Sequence, residues 1–443
     1  MSVLRTFSVV VPSILVITLL SPSPLRGQPQ EEPLSLEKAV AMALENNEGA
    51  RIALEQKQLT EARLTKARAY FLPTISTVGT YTRRPNAVTR SLSNQSVTIQ
   101  SLNALSATTQ LNLTLFDSKS IPSYRQASFE DKAQKYTTAE SRRRIAYEAA
   151  NAFLQTLSVD NIVQAAQHRL DLAKKNREAA SARFSAGLIS SNDLTRWKLE
   201  VATAERELVQ ASGEAESTHL QLSYLLNTPV PKSLKSPDSL VTAAETEIPS
   251  TDPLIATATT SRLDLASLQW KSKAAQASTL EPLLKWFPSV VFNAQTRTTN
   301  EAGLTGKNTT WSVGLTASWS IFDGFSRTAE LRERRTLTRI ARLDLEGARR
   351  KAENEVRDAF LSLKTQQSAL KRSKVAFDFA KQNADETAEL YSQGLTGTLQ
   401  VTDANVQLFD SEVEHIRSRY GLAIALLNLR LSQGLDPFGK EPL

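Results

Sequence analysis

Three histidines, His168, His219 and His415, are the natural place to look for chemistry, because imidazole acts as acid, base or metal ligand near neutral pH. Their placement supports none of these roles. Each is isolated on a helical stretch, without a second ligand at metal-site spacing. No glycine-rich phosphate loop and no nucleophile elbow is present. The chain has no cysteine, so it has neither thiolate chemistry nor disulfides, and no thiol to carry an acyl chain at a mature N-terminus. Asn94-Gln95-Ser96 and Asn308-Thr309-Thr310 match glycosylation sequons, triplets that arise by chance. The expectation is therefore a protein that is not an enzyme, binds no cofactor or metal, and carries its histidines on the surface. Function has to be sought in shape.

The shape is written twice. Asn151-Ala-Phe-Leu154 returns as Asp358-Ala-Phe-Leu361, 207 positions on. Arg183-Phe184 with Gly187-Leu188 returns as Leu390-Tyr391 with Gly394-Leu395 at the same offset. Leu115-Phe116-Asp117 returns as Ile321-Phe322-Asp323, and Tyr70-Phe71-Leu72-Pro73 as Lys285-Trp286-Phe287-Pro288, at offsets of 206 and 215. Offsets this consistent mean duplication of one structural unit. Its order is helix, strand, loop, strand, long helix, turn, helix.

The first unit opens with a helix capped by Ser35 and running to Tyr70, where Pro73 stops it. A second helical pattern runs from Ser120 to about Ala186; some 65 residues at ~1.5 Å each would span roughly 100 Å. Gly187 ends it, and a partner helix covers about Asn192 to Leu226. The second unit predicts helices over Pro253 to Leu284, Ser326 to Gln393 and Leu399 to Leu431. Val356, Leu363, Leu370 and Phe377 recur every seven residues, with Ala149, Phe153, Val163 and Leu170 among the apolar mates in the first unit. That spacing keeps one narrow seam against a partner helix, as in a coiled coil.

Between the helices lie short alternating segments. Trp311, Val313, Leu315, Ala317, Trp319 and Ile321 alternate with Ser, Gly and Thr, and Leu111, Leu113 and Leu115 alternate with Gln110, Asn112 and Thr114. Val290 to Gln295 alternates less cleanly, and Thr74 to Tyr81 least. Trp311 and Trp319 would stand about 27 Å apart along a strand. Tilted, such strands fit a lipid-facing band with an aromatic girdle and a polar lumen; a half-buried soluble sheet would explain the alternation but not the tryptophan pair. Four strands cannot close a barrel, and open edges in lipid leave backbone groups unpaired, so spanning strands would require oligomerisation.

Composition agrees. Aromatics are 6% of 443 residues and glycines number 15, which favours long helices over a sheet-based core. The formal charge of +7, spread along the chain, reads as solvation and not as a nucleic-acid footprint. Residues 1–27 read as a signal peptide, with Arg5 before the apolar run Phe7 to Leu20; an uncleaved anchor is the alternative. The expected organisation is that leader, a first repeat over 28–228, a Pro-, Ser- and Thr-rich linker over 229–252, a second repeat over 253–434 and a C-terminal tail over 435–443. The fold class is mostly α with a β-barrel contribution.

The ordered set of motifs resembles the TolC-like outer-membrane efflux protein family. Leu34-Ser-Leu-Glu-Lys-Ala-Val-Ala-Met-Ala-Leu-Glu-Asn-Asn47 is similar to its opening helix, and Phe71-Leu-Pro-Thr74 to its helix-to-strand turn. Leu115-Phe-Asp117 and Ile321-Phe-Asp-Gly-Phe325 resemble its strand-to-helix turns, Arg262-Leu-Asp-Leu265 the start of its second repeat, and Phe184-Ser-Ala-Gly-Leu188 and Tyr391-Ser-Gln-Gly-Leu395 its hairpin tips. The resemblance implies a homotrimer with a twelve-stranded barrel in outer-membrane lipid and a twelve-helix periplasmic tunnel. Its implied partners are a periplasmic adaptor (a membrane fusion protein) and an inner-membrane pump of RND, ABC or MFS type, with no nucleic acid. It also implies roles for residues. Gly187 and Gly394 mark adaptor-contact tips. Asp403 and Gln400 occupy a periplasmic constriction, where the family often has a second acid in place of Gln400. Asp193 and Tyr391 form a closed-state lock, without the basic residue that commonly adds to it at Thr396. Two other readings stay open: a periplasmic adaptor, which would carry one hairpin flanked by Gly-rich β modules, and a structural coiled-coil envelope protein, which would leave the strands idle.

Overall fold

The protein is described here from a computed structural model over residues 33–92, 95–248, 250–301 and 306–440. The expected leader, the last three residues of the tail and Ser93, named in the first inter-strand segment, lie outside the described residues.

Each long helical pattern becomes one arm of an antiparallel hairpin. In the first repeat α3 (Ser120–Ser185) returns as α4 (Ser191–Leu226), and in the second α9 (Ser326–Ser392) returns as α10 (Thr398–Gln433). The heptad seam is where it was expected. Val356, Leu363 and Leu370 are buried in α9, as are Ala149, Phe153 and Leu170 in α3. The largest buried cluster gathers Tyr147, Phe153 and Leu154 of α3 with Leu222 and Leu226 of α4 and Leu422 and Leu427 of α10. Alanines fill much of the remaining contact, among them Ala39, Ala43, Ala149, Ala150 and Ala423. Small side chains let helix axes approach closely, so these long rods pack tightly between the larger side chains. Three smaller clusters continue along the hairpins to their tips.

The opening helix differs from expectation. It is two helices, α1 (Leu36–Asn46) and α2 (Glu48–Arg68). Asn47 breaks it: its side-chain oxygen accepts from the Gly49 N–H at 2.8 Å, and its amide donates to the Leu225 carbonyl at 3.0 Å. Asparagine satisfies backbone groups better at a cap than within a helix, and periodicity alone does not register that. The stretch expected as one helix from Pro253 is likewise three: α6 (Asp252–Ser261), α7 (Leu263–Ser278) and α8 (Leu280–Leu284). The first break is at Arg262, whose buried guanidinium donates to Asp264, to Glu355 of α9 and to the Ser432 carbonyl of α10.

The described residues of the expected linker are ordered. They contain α5 (Asp238–Glu245), which buries Leu240, Val241 and Ala244, and Leu34 forms a parallel bridge with Leu234. Among the described residues no helix is long and apolar enough to cross a membrane.

Four strands form one antiparallel sheet in the order β1 (Thr74–Arg83), β4 (Asn103–Phe116), β5 (Ser289–Thr299), β6 (Thr309–Ser318). Each repeat supplies two neighbouring strands, and β4 joins β5 across the duplication. The first inter-strand loop is longer because it holds its own hairpin, β2 (Val88–Leu92) with β3 (Gln95–Gln100). One expectation needs correction: β6 ends at Ser318, so Trp319 and Ile321 lie beyond the strand and not in it. The Trp319 indole donates instead to the Trp286 carbonyl at 3.2 Å, which holds it beside the chain entering β5.

Candidate functional site: hairpin tips and strand quartet

The two tips share one backbone solution. Gly187 and Gly394 both take φ +75°, left-handed conformations that side chains disfavour. At the first tip the Gly187 N–H donates to the Phe184 carbonyl at 2.9 Å and the Leu188 N–H to Arg183 at 2.8 Å. At the second, Gly394 donates to Tyr391 at 3.1 Å and Leu395 to Leu390 at 2.9 Å. This bond pair closes a helix with a glycine after its last turn. It leaves Leu188 and Leu395 projecting, 74% and 69% exposed.

The tips diverge where the returning helix begins. Ser190 and Asp193 form a capping box on α4: the Ser190 hydroxyl receives the Asp193 N–H, while the Asp193 carboxylate faces the Ser190 N–H and hydroxyl. The hydrogen bond from Ser190 holds the Asp193 carboxyl below its ordinary range, and the Thr398 side chain adds to the lowering. The matching positions of α10 are Gly397 and Gln400, and α10 has no side-chain cap.

Tyr391 and Asp193, expected as one lock, are not joined directly in this structure. The Tyr391 hydroxyl accepts from the Trp197 indole at 3.3 Å, and the Arg183 guanidinium lies 5.0 Å over the Tyr391 ring. Asp193, in the first turn of α4, spends its carboxylate on the nearest free donors, those of Ser190. The hairpins are tied nonetheless. Trp197 of α4 reaches Tyr391 of α9, and Asp193 of α4 sits beside Thr398 of α10. Trp197 is fully buried, packed with Ala180 and Val401. Sequence reasoning passed over it. The available signal was its repeat mate Ala404, a large-for-small exchange at a duplicated position.

Asp403 and Gln400 lie three residues apart on one exposed face of α10's first turns. Asp403 accepts from the Gln407 amide at 3.0 Å. Its repeat mate in α4 is Arg196, so the two returning helices carry opposite charge at equivalent places.

The sheet has two unlike faces. One carries Ile75, Leu111, Leu113, Phe292, Val313 and Leu315 in register, bordered by Trp311, which is 78% exposed. The other carries a polar row: Thr316 donates to Asn293 at 3.0 Å, and Asn293 and Gln110 both donate to the Asn112 side chain, at 2.9 and 3.2 Å. Both edge strands, β1 and β6, are unpaired along one side in the described chain. At the end far from the helices the two inter-strand loops are stitched together. Arg84 pairs with Glu301, whose carboxylate also accepts the Ser101 N–H at 2.6 Å, and Asn300 bridges Leu105 and Asn103.

Known proteins share this architecture. The chain is similar to the cobalt-zinc-cadmium resistance protein CzcC of Cupriavidus metallidurans, 26% identical over 201 residues, 45% of this chain and 44% of that protein. The match thus spans less than half the length of that relative. Solved structures are similar over most of their length. The CusC structure, described in terms of folding and transmembrane channel formation, has a TM-score of 0.76 at 15% identity, covering 90% of this chain and 92% of that one. The CmeC outer membrane channel of Campylobacter jejuni has 0.76 at 15%, covering 92% and 86%. A membrane protein of Pseudomonas aeruginosa has 0.77 at 20%, covering 90% and 92%. At these identities the likeness establishes the fold. The family profile described as outer membrane efflux protein matches residues 39–228 and 254–435, the body of both repeats. With both repeats matched, the chain belongs to the outer membrane efflux protein family, which is not a family of enzymes.

Proposed function

We propose that three copies of this chain form an outer-membrane conduit that exports substrates delivered by a periplasmic adaptor and an inner-membrane pump. The observation that carries the reading is the four-stranded sheet, apolar on one face, polar on the other and open at both edges. Three such sheets give twelve strands and leave no edge unpaired, which lipid demands. The tips, with Leu188 and Leu395 projecting, are the proposed adaptor contact. The tie between Trp197 and Tyr391 and the contact of Asp193 with Thr398 are the proposed closed-state restraint. Three Asp403 carboxylates would ring the narrow end and favour cations there. The likeness to a cobalt-zinc-cadmium resistance protein makes divalent metal cations the substrate class to test first.

The test is conductance. Purified protein in planar bilayers should give discrete steps and should run as a trimer in unheated mild detergent; a water-soluble monomer without conductance would end the proposal. Asp403→Ala should lower cation selectivity and block by multivalent cations. Tyr391→Phe combined with Asp193→Ala should raise conductance. An epitope inserted near Ser93 should be labelled on intact cells if the loops face outward.

A further inference from the structure

The strand-bearing segments are charged unlike the rest of the chain. Between Thr74 and Phe116 there is no acidic residue, while Arg83, Arg84 and Arg90 are basic. Between Ser289 and Phe322, Arg297 and Lys307 stand against one carboxylate, Glu301. Glu301 is already committed to Arg84 and to the Ser101 N–H in the stitched rim.

Within the four strands only Arg83 and Arg297 are charged. Arg83 lies on the apolar face, in register with Asn103 beside Leu105's partner Tyr81. Arg297 lies on the polar face. It pairs in register with Thr108 and Thr310, and its alternate neighbours Gln295 and Asn293 continue the polar row. It borders a cleft of about 710 Å³ with Thr80, Thr108 and Ser312, whose wall also includes Glu301 and the Arg84 that pairs with it, so that Arg297 supplies the cleft's excess positive charge. Its side chain is exposed, and among the described residues it has no ion-pair partner. It sits two residues from the end of β5 that lies away from the helices.

We propose that Arg297 makes the barrel mouth an electropositive filter that draws in polyanions and turns back multivalent cations, opposite in sign to the end marked by Asp403. The inference rests on the conduit reading, because three chains set three guanidiniums around one lumen. The 67 residues of α9 span roughly 100 Å, about ten screening lengths at ~0.1 M salt, so the two ends act independently. A low-dielectric wall lined by one sign of charge concentrates counter-ions and depletes co-ions. A cation would then be favoured on entry at the helical end and opposed on return from outside.

The experiment uses the full-length protein in planar bilayers at about 0.1 M KCl. Inorganic tripolyphosphate and hexaamminecobalt(III) are added to each side in turn. Tripolyphosphate should block from one side only, the side opposite to that from which hexaamminecobalt(III) acts. Arg297→Gln should raise the blocking tripolyphosphate concentration by on the order of tenfold, Arg297→Lys should preserve block, and Asp403→Ala should leave it unchanged. Channels in which Arg297→Gln titrates like the parent overturn this inference alone. Absence of channels in the parent overturns the conduit reading and this inference together.

Discussion

Asn151-Ala-Phe-Leu154 and Asp358-Ala-Phe-Leu361 are nearly the same four residues at the same place in two repeats, yet Leu154 is fully buried and Leu361 is 60% exposed. The helices that carry them differ in the same way. α3, of 66 residues, buries 24 of them, whereas α9, of 67, buries 8. The contrast does not reflect helix quality. α3 is covered by α2, α4, α7 and α10, while α9 is covered mainly by α10 and α7. Leu343, Leu361, Val375 and Phe379 of α9 are all more than half exposed. Duplication copied the rod, and only one copy was enclosed within the chain. The other copy presents the face expected to meet a neighbouring protomer.

The sharpest way to break that comparison is to truncate the buried leucine and place a charge at the exposed one. Leu154→Ala should cost about 2–5 kcal/mol of chain stability through the cavity it leaves. Leu361→Glu should leave the chain's helicity intact and abolish the trimer. Thermal unfolding read beside the sedimentation mass in detergent separates the two, and equal loss of stability in both variants would refute the proposed division of roles.

Trp197→Ala is expected to cost about 3–5 kcal/mol, concentrated at the tips, because the fully buried indole fills the space between Ala180, Val401 and Tyr391. Hydrogen exchange should show faster opening near Ala180, Tyr391 and Val401 with little change around Phe153. Smaller effects follow at the turns. Gly187→Ala and Gly394→Ala should each cost roughly 1–2 kcal/mol locally, since both glycines are left-handed and neither has a neighbour that an added methyl would strike. The double variant Gly187→Trp with Gly394→Trp should abolish export while trimers still form; full export would remove the docking role of the tips.

The smallest effect sharpens the difference between the caps. The Asp193 carboxyl is held below its ordinary range, so its contribution is present above the unfolded value near ~3.9 and is lost as pH falls through the lower folded value. Protection of the first turn of α4 should therefore fade in that acid window, and the tie from Asp193 to Thr398 at the start of α10 should weaken with it, whereas Gln400, at the matching place in α10, has no charge to lose. Asp193→Asn should remove the pH dependence and keep most of the cap.

Much of this was legible because it is periodic. The heptad seam announced α3 and α9, and the alternation of Leu111 to Leu115 announced β4, since side-chain period follows directly from backbone geometry. The breaks were not legible. Asn47 and Arg262 combine a local bond, to Gly49 and to Asp264, with bonds to residues 178 and 93 positions away, and no local pattern contains the distant partners that fix the breaks. The end of β6 before Trp319 is likewise set by a contact with Trp286 from another segment.

The sequence by itself determined the duplicated unit, the helix and strand types, and the glycines at the two reversals, because each depends on residues close together in the chain. Only the tertiary structure decided which copy of each motif is enclosed. It also decided that the Tyr391 hydroxyl meets Trp197 and not Asp193, so that Trp197 supplies the bond across the hairpins. Those outcomes depend on which groups become neighbours once the rods pack, and a buried donor takes the nearest acceptor that packing leaves within reach.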